Sequence, residues 1–135
     1  MTFLLDTNAI SETSRRRRNP GFERWWTEAV PSSLFLSSLT LGELVRGVHG
    51  LRIPDPIRRK RLEEWFAEFQ DVFVDRILPV TDQVASEWGR MSVDRSRPIA
   101  DTLLAATAKV HDLTLVTRNV RDVAGLDIRV LNPFS

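Results

Sequence analysis

Short apolar runs alternate with segments of helical periodicity along the whole chain, and this constrains its fold more than any other feature. Phe3-Leu4-Leu5, Leu34-Phe35-Leu36, Ile77 to Val80, Leu113 to Val116 and Ile128 to Leu131 read as short strands. Their uniform apolarity suits strands covered on both faces. Between them, Asn8 can cap a first helix, and Phe22 to Val30 reads as a second. Leu41, Leu44, Val45 and Val48 fall on one face of a third. Pro54-Asp55-Pro56 opens a helix running to about Phe69, with Ile57, Leu62, Trp65, Phe66 and Phe69 available for the core. Thr81 caps a helix to about Met91, and Pro98 begins another at its favoured first position. In that last helix Ile99, Leu103, Ala106 and Val110 line one face and Leu104, Ala105 and Ala108 another, so it is expected to be central. Val120 to Ala124 reads as a short helical turn. This order predicts an α/β fold, a three-layer α/β/α sandwich on a mainly parallel sheet, as one domain over residues 1–135.

At 42% hydrophobic residues, the chain can build a core without covalent staples. It has no cysteine, which excludes disulfides and thiolate chemistry. Met1 to Leu5, followed at once by Asp6, is too short for a signal peptide, and no apolar run approaches the roughly 20 residues that span a bilayer. A cytoplasmic protein without a membrane partner is expected. The formal net charge is +1, which announces no nucleic-acid binder. Of 19 basic residues only Lys60 and Lys109 are lysines. Arginine suits bidentate contacts to phosphate, although a GC-rich genome would give the same bias.

In parallel sheets ligands bind beyond the carboxyl ends of the strands. Four acids lie at or near such positions: Asp6, Glu43, Asp101 and Asp122. Each has an ordinary structural explanation. Asp6 could simply end a strand. Thr40 to Glu43 has the form of a capping box. Asp101 lies in the first turn of a helix, where the dipole favours an acid, and Asn119 to Asp122 is also shaped like a cap. As a set these explanations weaken. Asp101 sits on the most apolar helix of the chain, where an unpaired carboxylate is costly, and Glu43 adjoins the apolar stripe of its helix. Converging anions repel unless a cation intervenes, and hard oxygen donors select magnesium or manganese. A metal held there could activate water for attack on phosphorus.

Four segments in order carry a family resemblance: Leu4-Leu5-Asp6-Thr7-Asn8-Ala9-Ile10-Ser11-Glu12; Ser38 to Leu44 with Arg46-Gly47; Ile99-Ala100-Asp101-Thr102 to Ala108; and Leu115-Val116-Thr117-Arg118-Asn119 with Asp122. Together with Val130-Leu131-Asn132-Pro133 they resemble PIN-domain ribonucleases, most of all the VapC and FitB-type toxins of type II toxin–antitoxin pairs. The resemblance implies a PIN-like fold and a Mg²⁺-dependent endoribonuclease, with Mn²⁺ able to substitute. It implies Asp6 and Asp101 as principal ligands and Glu43 as ligand or base. The fourth position falls at Asn119 or Asp122, and the number of ions is open. Val123 stands where many relatives carry an aromatic residue. Asn8, Ser38, Thr117 and Asn119 match polar positions around the metal. The implied partners are an RNA substrate, a small VapB-like antitoxin, a second copy of the chain in a homodimer, and promoter DNA through the antitoxin alone.

Arg15, Arg16, Arg17 and Arg18 could track an RNA backbone, and Arg118 could position a phosphate. A solvated loop, antitoxin contact, or pairing of Arg118 with the acids are the other readings. His49 and His111 lack a consistent partner pattern, so a histidine-based nuclease is rejected. Trp25, Trp26, Trp65 and Trp88 are expected in the core or a dimer contact. Two rival functions remain. A phosphatase forming an aspartyl-phosphate would need a second acid where Asn8 stands. A weakly catalytic or non-catalytic chain could act chiefly through an antitoxin complex on promoter DNA.

Overall fold

The computed structural model describes residues 1–50 and 54–135. Its strands are β1 (Phe3–Leu5), β2 (Leu34–Ser37), β3 (Ile77–Leu78), β4 (Thr114–Val116) and β5 (Val130–Leu131). Its helices are α1 (Thr7–Glu12), α2 (Pro20–Glu28), α3 (Ser38–Gly50), α4 (Pro56–Phe73), α5 (Asp82–Met91) and α6 (Ile99–Val110). The strands form one sheet in the order β3-β2-β1-β4-β5, with every pairing parallel. Register places Leu4 opposite Phe35 on one side and Leu115 on the other.

Alternation along the strands divides the core into two layers. Leu4 and Leu115 face a cluster with Val84, Met91, Leu104, Ala105 and Ala108 from α5 and α6. Leu5, Leu34, Leu36 and Val116 face the other side, against Ala9, Ile10, Phe22, Leu44, Phe69 and Phe73. That is the expected α/β/α sandwich, with helices on both faces of a parallel sheet. α6 is the central helix the sequence suggests: from Leu104 to Ala108 every residue is buried. Trp25, Trp26 and Trp65 pack against the second cluster and Trp88 against the first.

Several local expectations are corrected. Asp6, not Asn8, caps α1, because β1 ends at Leu5 and the helix begins at Thr7, leaving Asn8 inside the first turn. Thr40 does not open a capping box: α3 has already begun at Ser38, and the Thr40 hydroxyl is buried within the packing. Ile57 and Ile99 are not core residues; they are 78% and 64% exposed. Both lie in the first turn of their helices, ahead of the stretch that packs on the sheet. α4 extends past Phe69 to Phe73, which buries one more aromatic. β3 and β5 shorten to two residues each, the sheet's edges. Among the described residues no helix is long and apolar enough to cross a membrane.

Candidate active site

Sheet order fixes where a site can form. From β1 the chain steps one way to β2 and β3, and later returns to the other side of β1 as β4 and β5. The crevice between the carboxyl ends of β1 and β4 is therefore the topological switch point, the usual ligand position in open parallel sheets. Asp6 leaves β1 there, and Thr117 leaves β4.

Asp6 is 3% exposed. Its Oδ1 accepts the amide of Ala9 at 2.8 Å, and its Oδ2 accepts the hydroxyl of Thr117. Burial raises this carboxyl above the usual range despite these bonds, and the charge of Glu43 pushes the same way. Thr117, itself buried, also accepts the amide of Asn119 at 2.9 Å, so one hydroxyl ties the β4 loop to the Asp6 side chain. Glu43 arrives from the second turn of α3, where its Oε1 accepts the Thr7 hydroxyl at 2.8 Å. Thr7 was overlooked by sequence reasoning, although it stands within the Asp6-Thr7-Asn8 run. Its signal was its place in the first turn of α1, one residue after the Asp6 cap.

Asp101 lies in the first turn of α6, and Asp122 in a 3₁₀ turn at Val120–Val123. The Asp101 carboxyl is raised to about 6, first by burial, then by the charge of Asp122 and a hydrogen bond with it, then by the charges of Asp6 and Glu43. Asp122, Asp6 and Glu43 thus all act electrostatically on Asp101, and Glu43 also acts on Asp6. The four acids come from four separate stretches of chain. It is Asp122, not Asn119, whose side chain meets Asp101. As they stand, no three His, Cys, Asp or Glu side chains among the described residues form a ready-made coordination group.

The remaining sequence candidates separate. The Asn8 side chain is exposed, and only its backbone amide acts on Asp6. Ser38 is half-buried at the start of α3, beside Glu43 on a shallow surface depression. The arginine run is divided. Arg18 is spent on the loop itself, donating to Glu23 at 3.0 Å and to the Thr13 carbonyl at 2.9 Å. Arg15 lies 3.7 Å from Glu12, while Arg16 and Arg17 are exposed. Arg118 sits 4.1 Å above the Phe134 ring.

A parallel α/β/α sandwich with a cluster of carboxylates at its switch point defines a class of protein whose chemistry sits at one end of the sheet. A family model described as PIN domain matches residues 3–125. The chain is 33% identical to toxin FitB of Neisseria gonorrhoeae over 97% of both chains. It is 29% identical to VapC ribonuclease Y4jK of Sinorhizobium fredii, over 97% of this chain and 96% of that one. The solved structure of FitAB bound to the IR36 DNA fragment superposes with a TM-score of 0.88 at 29% identity, covering 99% of this chain and 96% of that one. The chain belongs to the PIN-domain family, and its relatives there include VapC and FitB-type toxins.

Proposed function

We propose that this chain is a divalent-metal-dependent endoribonuclease, the toxin of a toxin–antitoxin pair, and that Asp6, Glu43, Asp101 and Asp122 are its metal-holding acids. The observation that carries this reading is the convergence of three carboxylates on a half-buried fourth: burial first, then Asp122, Asp6 and Glu43, raise Asp101 to about 6. The donor set fits a hard cation: every donor is a carboxylate oxygen, and a bound charge would offset the repulsion among them. Because no three of the acids already form a coordination group, binding calls for rotation of at least one side chain. Mg²⁺ is the expected ion, with Mn²⁺ as a substitute. When bound, such an ion lowers the pKa of water and neutralises charge on a phosphodiester.

The chain's own residues set up that chemistry. Ala9 and Thr117 fix both oxygens of Asp6, so its free lone pairs point in one direction. Thr7 holds Glu43 in the same way. Such supporting bonds commonly govern metal affinity as strongly as the ligands do. With Asp101 raised to about 6, its carboxyl oxygen can hold or release a proton near neutral pH. Asn119 keeps its backbone role on Thr117, which favours Asp122 as the fourth acid. Arg16, Arg17 and Arg118 remain candidates for phosphate contact, and Arg15 joins them in the cleft described below.

The relatives named FitB and VapC, and the FitAB complex on DNA, support an antitoxin partner with which this chain would bind DNA as a pair. A homodimer in the bacterial cytoplasm completes the reading. Cleavage of a mixed RNA by the purified chain with Mg²⁺, lost in EDTA and in Asp6→Asn, tests it.

A further inference from the structure

A cleft of about 330 Å³ opens between α1, α3 and α4, and Thr7 and Glu43 are among the residues that line it. Those two residues are hydrogen-bonded to each other at 2.8 Å, and Glu43 acts electrostatically on both Asp6 and Asp101. The cleft therefore shares one acid, Glu43, with the acid cluster. Arg15 and Arg58 line it from different elements. The Arg15 side chain is 66% exposed, and Arg58 is exposed in the first turn of α4. Trp65 also lines the cleft, with its indole nitrogen donating to the Thr13 hydroxyl at 3.0 Å. Gly47 lies along α3 with open space where a Cβ would stand.

We propose that this cleft is a nucleotide subsite, which takes the RNA residue next to the scissile phosphate and sets which strands bind productively. The proposal rests on the ribonuclease reading and adds where the neighbouring nucleotide goes. Three observations carry it. The shared Glu43 means that a strand whose phosphate lies at the acids must leave the site over this cleft or away from it. The volume sits at the lower end of the roughly 300–1,000 Å³ of small-ligand sites, room for one nucleotide and not several. The lining combines two guanidinium groups with an aromatic ring and hydroxyl-bearing residues, the chemistry that grips single-stranded nucleic acid through phosphate and base together. A cationic peptide would find Glu43 but would meet Arg15 and Arg58, so charge favours an anionic chain.

The test uses the full chain and a labelled single-stranded RNA twelvemer of mixed sequence, with binding followed by anisotropy in EDTA. Gly47→Leu fills the cleft from a helix position where leucine has higher helix propensity than glycine. It is expected to weaken RNA binding about tenfold while leaving the melting temperature unchanged or higher. Arg58→Ala is expected to weaken binding and to reduce the slope of log affinity against log salt by about 0.7, the loss of one phosphate contact to a single strand. With Mg²⁺ present, both variants are expected to raise KM more than they lower kcat. Unchanged RNA affinity and salt slope in both variants would overturn the proposal. So would a poly-glutamate peptide that binds as tightly as RNA and is weakened equally by both changes, which would assign the cleft to an acidic protein segment. Failure of the ribonuclease reading shows separately, as cleavage that survives Asp6→Asn, since binding in EDTA does not depend on catalysis.

Discussion

Asp101, in the first turn of α6, and Asp122, in the turn after β4, act on each other: the charge of Asp122 and a hydrogen bond with it both favour the protonated Asp101 carboxyl. The charge of Asp122 disfavours ionisation of Asp101 beside it. The fold keeps them together nonetheless, through the packing of α6 on the sheet and of Val123 against the same core layer.

That relationship predicts a pH-dependent stability. Below an unfolded-state pKa of about 3.9, Asp101 is protonated in both states and its full contribution to stability is present. As pH rises through about 6, the folded chain must ionise Asp101 against burial and three other carboxylates, and that contribution is lost. In EDTA, Asp101→Asn should therefore melt above the unsubstituted chain at pH 7.5, with the advantage vanishing at pH 4. Millimolar Mg²⁺ should cancel the advantage at pH 7.5. Thermal melts of both proteins at the two pH values check this.

Removal of the proposed metal-holding acids should separate activity from folding. Asp6→Asn and Asp101→Asn are each expected to lower RNA cleavage by at least about a hundredfold, beyond the usual effect of a supporting residue, with circular dichroism spectra unchanged. Full cleavage by both purified variants would refute the assignment.

Thr7 gives a finer test, because its one side-chain hydrogen bond among the described residues is to Glu43. Thr7→Val keeps the shape of the side chain and removes the 2.8 Å bond. Metal affinity is expected to fall by about 10–100-fold, and stability by about 1 kcal/mol, as read by Mn²⁺ titration and by urea unfolding.

A structural prediction concerns the chain's end. A Cβ at Gly21 would lie 2.6 Å from the Pro133 carbonyl oxygen and 2.9 Å from Ser135. Asn19 also holds Ser135 through its side chain, and Phe134 stacks on Phe22 at 5.1 Å. Gly21→Ala should cost about 1–3 kcal/mol by overpacking, measured by denaturant unfolding.

Strand and helix order was legible because unbroken apolar runs and period-3.6 patterns are written by burial, and Leu4, Leu36 and Leu115 are wholly or almost wholly buried. The acids were legible because parallel topology sends the ends of β1, β2 and β4 to one edge. What escaped was local. Asn8 and Asp6 are both good caps, and choosing between them needs the last residue of β1. Ile57 and Ile99 carry the apolar periodicity but sit where their helices overhang the sheet, which spacing alone does not reveal. Thr7 was invisible as a Glu43 partner because the two are brought together only by the packing of α1 against α3. That Asp122 acts on Asp101 likewise needed the path of the 3₁₀ turn.

The central claim is that acids from separate stretches of chain form a single divalent-cation site. Calorimetric titration of Mn²⁺ into the cation-free chain tests it most directly, with Asp6→Asn and Asp101→Asn titrated alongside. Saturable binding that each substitution weakens by at least about tenfold is the expected result. Equal binding by all three proteins, or none by any of them at millimolar Mn²⁺, would contradict it.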